Sequence, residues 1–375
     1  MRYRYSAAQD GKLVKKAVIY TRDEHGIDFG NVEIEAVGII RRLRSAGFDS
    51  YIVGGAVRDL ILGKKPKDFD IVSAASPTKI KKIFRNSRII GRRFRLVHVY
   101  FQDRIFEVAT FRSLTDGHTS NTFGTIEEDV LRRDFTMNAL FYDPEQQIVV
   151  DYVGGMKDIK SKQVKNIINL AGIFNDDPVR MIRAVKYAAI TGFSIPFNLK
   201  MKIQSQSGLL TSISPSRLTE EIFKIINSDK ACAIVDLLDK TGLFYYLQPQ
   251  AAELMRKNTV FKKSYLKTMS DLKGALNQRG QAIGSLFCDY LDTIQEWKSG
   301  PIENYKEICK IARDFVRPMN PPRFELEYAV KKFLASKGII IKRALVKPPS
   351  PAQEGEVKPA KKRKRRRRKK PASAE

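Results

Sequence analysis

Asp68 and Asp70 stand two positions apart with no basic residue between them. On an extended chain, side chains so spaced project from one face. Paired carboxylates of this kind suit hard, oxygen-seeking cations, Mg²⁺ above all. Shortly upstream, the apolar run Tyr51-Ile52-Val53 ends in Gly54-Gly55, and Arg58 follows. Glycines after a strand let backbone N–H groups approach a phosphate closely, and a nearby guanidinium can grip its oxygens. A Gly-Gly in that place is by itself more often a plain turn. The carboxylate pair downstream is what directs the reading to metal-assisted phosphate chemistry, and to nucleotidyl transfer in particular. Glu107 is the candidate third ligand: it is bracketed by Phe106 and Val108 on a strand-like run, so it points away from the core. Three carboxylates on one sheet face can hold two Mg²⁺ ions, one activating a 3′-hydroxyl and the other stabilising the departing pyrophosphate.

Three further constellations follow. Arg132-Arg133-Asp134, with Thr136 and Asn138 beyond, reads as helical. Consecutive helical arginines diverge by about 100°, so one can face a triphosphate while the other meets its own carboxylate or RNA; a salt-bridged helix surface is the plainer alternative. Asp176-Asp177-Pro178-Val179-Arg180, with Arg183, reads as a helix start whose acids and arginines share one side. A carboxylate–guanidinium pair presented from such a start can read the hydrogen-bonding edge of a base, and capping can coexist with that role. In Ile89 to Val99, Arg92, Arg93 and Arg95 surround Phe94, an interleaving that suits single-stranded RNA. His98 in the same run reads as a satisfied histidine rather than a metal ligand.

The elements that must position these groups alternate at first. Asn31 to Ala46 is expected to be an amphipathic helix, Tyr51–Val53 and Phe69–Val72 strands, and Ser76-Pro77 a helix start. Strands are expected at Arg88–Ile90, Arg95–Phe101 and Ile105–Thr110. Arg112 to Gly124 reads as a mobile polar loop, and Thr125 with Glu128 as a capping box opening a helix to about Phe141. A last strand, Ile148 to Val153, ends at Gly154-Gly155. Beyond it the segments 176–189, 216–226 and 231–240 and several later ones read as helices, with a loop or hinge at Pro318 to Arg323. This is an α/β head on a small mixed sheet followed by an all-α body. Lys347 to Glu375 has almost nothing to bury and is expected to be disordered.

The chain has 375 residues and a formal charge of +27. The run KKRKRRRRKK at 361–370 supplies ten of those charges, and the remainder still carries +17. A body basic in its own right favours a polyanionic partner. No amphipathic membrane helix, lipidation motif or spanning apolar run points to a membrane, and Met1 to Arg22 lacks a secretory apolar core. Cys232, Cys288 and Cys309 lack metal-ligand spacing, so they are expected to be reduced and the protein cytoplasmic.

GGAVRD, DFD, RRDFTMNAL, DYVGGMKDI and DDPVRMIRA, in this order and spacing, resemble the class II nucleotidyltransferase family of poly(A) polymerases and CCA-adding enzymes. The resemblance runs from about Val18 to Ile226. It implies an α+β architecture: a polymerase-beta-like nucleotidyltransferase head with a small mixed sheet, then an all-helical neck and body, and a disordered basic tail. The corresponding division is an N-terminal extension (1–30), head (31–160), neck with the nucleotide-recognition motif (161–230), RNA-binding body (231–346) and tail (347–375). Asp68 and Asp70 are then implied as metal ligands, with Glu107 as catalytic partner. Gly54, Gly55 and Arg58 would hold the triphosphate, Arg132 and Arg133 triphosphate and ribose, and Asp177 with Arg180 and Arg183 the base. Asp176 departs from the Glu usual in the family. IIGRRFRLVHV and GKKPKDFDI are similar to the poly(A) polymerase branch. The expectation is a monomeric, Mg²⁺-dependent enzyme that adds AMP from ATP to single-stranded RNA 3′ ends. The rivals are a CCA-adding enzyme using CTP and ATP, and a non-catalytic RNA-binding protein.

Overall fold

A computed structural model describes residues 2–7, 13–91, 96–113, 123–272, 279–294, 296–298, 300–301 and 305–341. The strand-forming runs of the first half are β1 (Arg2–Ala7), β2 (Leu13–Tyr20), β3 (Ser50–Val53), β4 (Asp70–Ser73), β5 (Ser87–Ile90), β6 (Leu96–Phe101), β7 (Arg104–Thr110), β8 (Leu140–Asp143) and β9 (Ile148–Asp151). They join in one mixed sheet of order β1-β2-β9-β8-β3-β4-β7-β6-β5. Within this sheet, among the described residues, only the β4–β7 pair is parallel.

The two-residue period of the strands separates two cores. Ile52, Ile71, Phe106 and Val108 face helices Ile34–Ser45 and Pro77–Ile83. Tyr51, Val53, Val72, Phe141 and Val150 face the other way, where Val130 of helix Ile126–Arg132 packs on them. That second face is the functional one. Asp70 shares it with Val72 by alternation, and Glu107, opposed to Phe106 and Val108, shares it too. Pairing of Ile71 with Val108 places Asp70 beside Glu107 one step earlier on both strands.

Four expectations are corrected. Residues 2–7 and 13–20 are no separate extension, because β2 pairs with β9 and Ala17 is buried in the second core. The capping box at Thr125 and Glu128 forms, but its helix ends at Arg132 rather than Phe141. Arg133 is extended, and Leu140-Phe141-Tyr142 become the wholly buried strand β8, so demand for strand pairing and burial overrides a helical continuation. The helix expected from Asp176 is broken: Ile173–Asp176 ends one turn and Val179–Thr191 begins the next. Between them Asp177 lies at φ −150°, ψ 90°, because the ring of Pro178 excludes the helical region for the residue before it. Finally, β4 starts at Asp70, so Asp68 sits in its lead-in rather than on the strand. The expected basic tail (347–375), the Arg92–Arg95 run and most of the 112–124 loop lie outside the described residues.

Among the described residues the second half is helical apart from a two-residue parallel pair, Gly300–Pro301 with Ile339–Ile340. Its apolar residues Ile182, Val185, Ile222 and Leu238 belong to the same continuous core as Ile52 and Ile71 of the head. Among the described residues no helix is long and apolar enough to cross a membrane.

One junction fixes the segment 132–139. Asp151, 1 % exposed, accepts the backbone N–H groups of Val153, Gly154, Gly155 and Met156 at 2.8–3.1 Å, which secures β9 to the helix Gly155–Lys160. Thr136 donates its hydroxyl to Asp158 of that helix at 2.8 Å. Gly155 lies so close beneath Thr136 that a Cβ there would stand 2.3 Å from its carbonyl oxygen. Gly155→Ala is therefore expected to cost about 1–3 kcal/mol through overpacking, read as a lower urea midpoint; an unchanged midpoint would contradict this packing.

Candidate active site

Asp70 lies on the floor of a cleft between the head and the helix Val179–Thr191. The turn before it is built on Gly54, whose φ of 73° and ψ of −134° suit only glycine. A Cβ at Gly54 would lie 3.7 Å from the Asp70 carboxylate and 3.9 Å from the Arg133 guanidinium. The glycine thus keeps carboxylate, guanidinium and backbone within one small space.

Solvent still reaches Asp70, but the surrounding protein pushes its carboxyl up to about 6. Burial is the main cause, Glu107 the next, and Asp68 adds to it, while Arg133 opposes. Three acids therefore crowd one another with little opposite charge. Glu107 also stands 3.4 Å from His98 Nε2, as expected for a histidine with a partner. An all-oxygen set of mutually repelling carboxylates fits a divalent cation such as Mg²⁺. Among the described residues, no three such side chains are yet gathered as a finished metal centre.

A cavity of about 570 Å³ opens from Asp70, walled by Gly54, Gly55, Arg112, Arg132, Arg133, Arg180, Arg183 and Arg217, with Asp134, Asn138, Asp177 and Tyr187. Burial is the main cause that holds the Arg112 and Arg132 guanidiniums below their usual value; Arg112 adds to it at Arg132, and Arg133 adds to it at Arg112 against the pull of Asp129. Such crowding is relieved by a polyanion, and arginine's fork matches phosphate oxygens two at a time.

The helix end at Arg132 explains how the arginine pair divides. Arg132, on the last turn, donates to the Ser113 carbonyl. Arg133, at the extended cap, donates to Asp129 at 2.8 and 3.1 Å and lies over the Phe141 ring at 5.2 Å. Divergence comes from the chain leaving the helix, not from helical rotation. Arg58 is 5 % exposed and donates to Asn138 Oδ1 (2.8 Å) and Asp59 (2.8 Å), directly behind the cavity lining. Its guanidinium thus supports the Gly54 turn through Asn138 and Asp59.

Asp177 and Arg180 are close but each is held elsewhere. Asp177 accepts from Arg217 at 2.7 Å and from the Val179 N–H at 3.1 Å. Arg180, also 5 % exposed, donates to the Ile173 carbonyl at 3.0 Å, and burial depresses it. Arg183 reaches back to the head, 2.9 Å from Asp134. Tyr187 carries this junction further, with Phe135 edge-on at 5.8 Å and the Arg58 guanidinium at 5.4 Å from its ring. Sequence reasoning missed Arg112, Tyr187 and Arg217 as cleft residues. Tyr187, one helical turn beyond Arg183, was within reach of i, i+4 spacing; Arg112 and Arg217 carried no local signal.

The comparisons with known proteins agree with this geometry. Residues 50–165 match the Poly A polymerase head domain, and residues 192–255 the probable RNA and SrmB-binding site of polymerase A. Poly(A) polymerase I of Escherichia coli O6:H1 is 40 % identical over 269 residues, covering 68 % of this chain and 58 % of that protein. The CCA-adding enzyme of Geobacillus thermodenitrificans is 36 % identical over 242 residues, covering 62 % and 59 %. The chain thus spans somewhat over half the length of the curated relatives it matches. The crystal structure of Bacillus stearothermophilus CCA-adding enzyme in complex with CTP superposes with a TM-score of 0.56 at 26 % identity, covering 80 % of this chain and 82 % of that one.

The Arg183–Asp134 pair joins the matched head region to the helix Val179–Thr191, which lies between the two matched regions, and gives a test of the junction. Asp134 is 5 % exposed, whereas Arg183 keeps contact with solvent. Asp134→Ala is expected to destabilise by about 1–3 kcal/mol, less than for a fully buried pair; a urea midpoint equal to that of the parent would contradict it. With an arginine-walled cleft over Asp70 and residues 50–165 and 192–255 matching their counterparts, the chain belongs to the nucleotidyltransferase family that contains poly(A) polymerases and CCA-adding enzymes.

Proposed function

We propose that the protein adds AMP from ATP to RNA 3′ ends without a template and releases pyrophosphate. The observation that carries this reading is the carboxylate floor, Asp70 beside Glu107, set directly under a wall of arginines. Asp68, Asp70 and Glu107 would hold Mg²⁺. When bound, the ion supplies activation of the 3′-hydroxyl and charge neutralisation at the pyrophosphate.

The chain's own residues do the rest. Arg112, Arg132 and Arg133 orient the triphosphate, and Gly54 and Gly55 let it approach the backbone. Fixed guanidiniums aimed at developing charge favour the transition state without reorganising during the step. Arg180 and Asp177 meet the base, each already steadied by Ile173 and Arg217. Adenine and cytosine both offer an amino donor next to a ring nitrogen acceptor. A carboxylate–guanidinium pair therefore suits either, and ATP is favoured by the resemblance to the poly(A) polymerase branch and by the 40 % identity with Poly(A) polymerase I.

The second reading, a CCA-adding enzyme, is favoured by the likeness to the CTP-bound Bacillus stearothermophilus enzyme. Incubation with ATP or CTP, and with either unstructured RNA or a tRNA lacking its end, separates the two. Continued AMP addition to unstructured RNA is expected; CTP addition that stops after two residues on the tRNA would contradict the proposal. Asp70→Asn preserves shape while removing charge, and is expected to lower the addition rate by about 10³-fold or more. A rate near the parental one would remove Asp70 from the mechanism.

A further inference from the structure

The two helices on the face of the sheet away from Asp70 carry a charge pattern of their own. Ile39, Ile40 and Leu43 of helix Ile34–Ser45 and Ile80 of helix Pro77–Ile83 are wholly buried against the sheet. The outward sides hold Arg41, Arg42, Lys79, Lys81 and Lys82, with Arg85 just beyond the second helix, all exposed. Two contacts join the helices into one surface. The Arg42 guanidinium lies 5.2 Å from the Phe84 ring, and the Lys79 ammonium 5.6 Å from the Phe48 ring.

Two of these cations serve the fold. Arg41 pairs with Glu145 at 3.1 Å. Lys81 donates to the Arg85 carbonyl at 3.0 Å and to that of Ser87, which satisfies the chain just past its helix end. Arg42, Lys79, Lys82 and Arg85 differ, because none has a carboxylate partner among the described residues. Lys79 stands in the first turn of its helix, with no acid there, where the helix dipole opposes a cation. Within 34–49 and 77–88 the acids are Glu35 and Asp49. Glu35 precedes Arg42 by about 10 Å of helix, and Asp49 sits in the loop after it.

A protein partner would need an apolar centre to dock on, and stacked bases would need exposed rings. Between Ile34 and Ile105 no large apolar side chain is exposed among the described residues. What remains is recognition of charge alone, which a phosphate backbone offers irrespective of sequence. We propose that Arg42, Lys79, Lys82 and Arg85 form a second RNA contact on the back of the head, taking phosphates well upstream of the 3′ end. The inference rests on the RNA-directed reading of the cleft and goes beyond it by placing a contact outside the cleft. The sheet and its helices lie between this patch and Asp70. A nucleotide at the carboxylates therefore does not touch the cations, and only an RNA long enough to pass round the head meets both.

RNA length supplies the test. In the triple variant Lys79→Ala, Lys82→Ala, Arg85→Ala, KM for a long unstructured RNA is expected to rise at least about tenfold. Its salt slope is expected to flatten by about two, from three lost phosphate contacts at about 0.7 each. KM for an oligonucleotide of about six residues, the span of a single site, stays within about twofold of the parent, as does KM for ATP. The charge-conserving triple Lys79→Arg, Lys82→Arg, Arg85→Lys is expected to keep the parental KM for the long RNA. An unchanged KM for the long RNA in the alanine variant, equal losses on long and short RNA, or the same loss in the charge-conserving variant would overturn the patch. Affinity for both RNAs is measured without nucleotide in parallel. Absence of any addition by the parent protein would then count against the polymerase reading, while the length dependence of the binding loss still decides the patch.

Discussion

The crowding of carboxylates at Asp70 is the constraint around which the rest is arranged. Like charges at close range repel unless something separates or neutralises them. The parallel pairing of β4 with β7 brings Asp70 beside Glu107, and burial raises the Asp70 carboxyl to about 6. A fold optimised only for stability would not place acids there. This one holds them on a rigid central strand, with Ile71 and Val72 anchored on opposite cores and the chain reversed at Gly54 so that Arg133 stands nearby.

The same logic, with the sign inverted, organises the wall above. Burial, with a neighbouring guanidinium adding to it, holds Arg112 and Arg132 below their usual value. Others are balanced singly: Arg133 by Asp129, Arg183 by Asp134 and Arg217 by Asp177. These balancing carboxylates hold the guanidiniums in place while leaving net positive charge for a ligand. Two of the three pairs connect segments distant in sequence, so the wall exists only when head and helices share one core. Preorganisation is thus a property of packing as much as of the charged residues themselves.

Much of this was legible in the sequence. The Gly54-Gly55 turn, Asp70 at the start of a strand and Glu107 on its neighbour followed from residue type and a two-residue period, and the helical second half followed from its apolar periodicity. What failed was local. The capping box at Thr125 correctly opened a helix, but nothing nearby disclosed that Leu140-Phe141-Tyr142 would be claimed by the sheet. Pro178 carried the signal for the break at Asp177, and the helix expected from Asp176 begins three residues later, at Val179. The partner of the Arg58 guanidinium, Asn138, stands eighty positions away and carried no local signal. Arg112 and Arg217 entered the cleft through long-range folding alone. Side-chain chemistry could be read residue by residue; partners set by tertiary contact could not.

The most direct test of the whole account follows pyrophosphate and RNA length together. With ATP, Mg²⁺ and an unstructured RNA, the account predicts one pyrophosphate released for each adenylate added to the 3′ end, both ceasing when the metal is chelated. RNA that binds but neither lengthens nor yields pyrophosphate would contradict it.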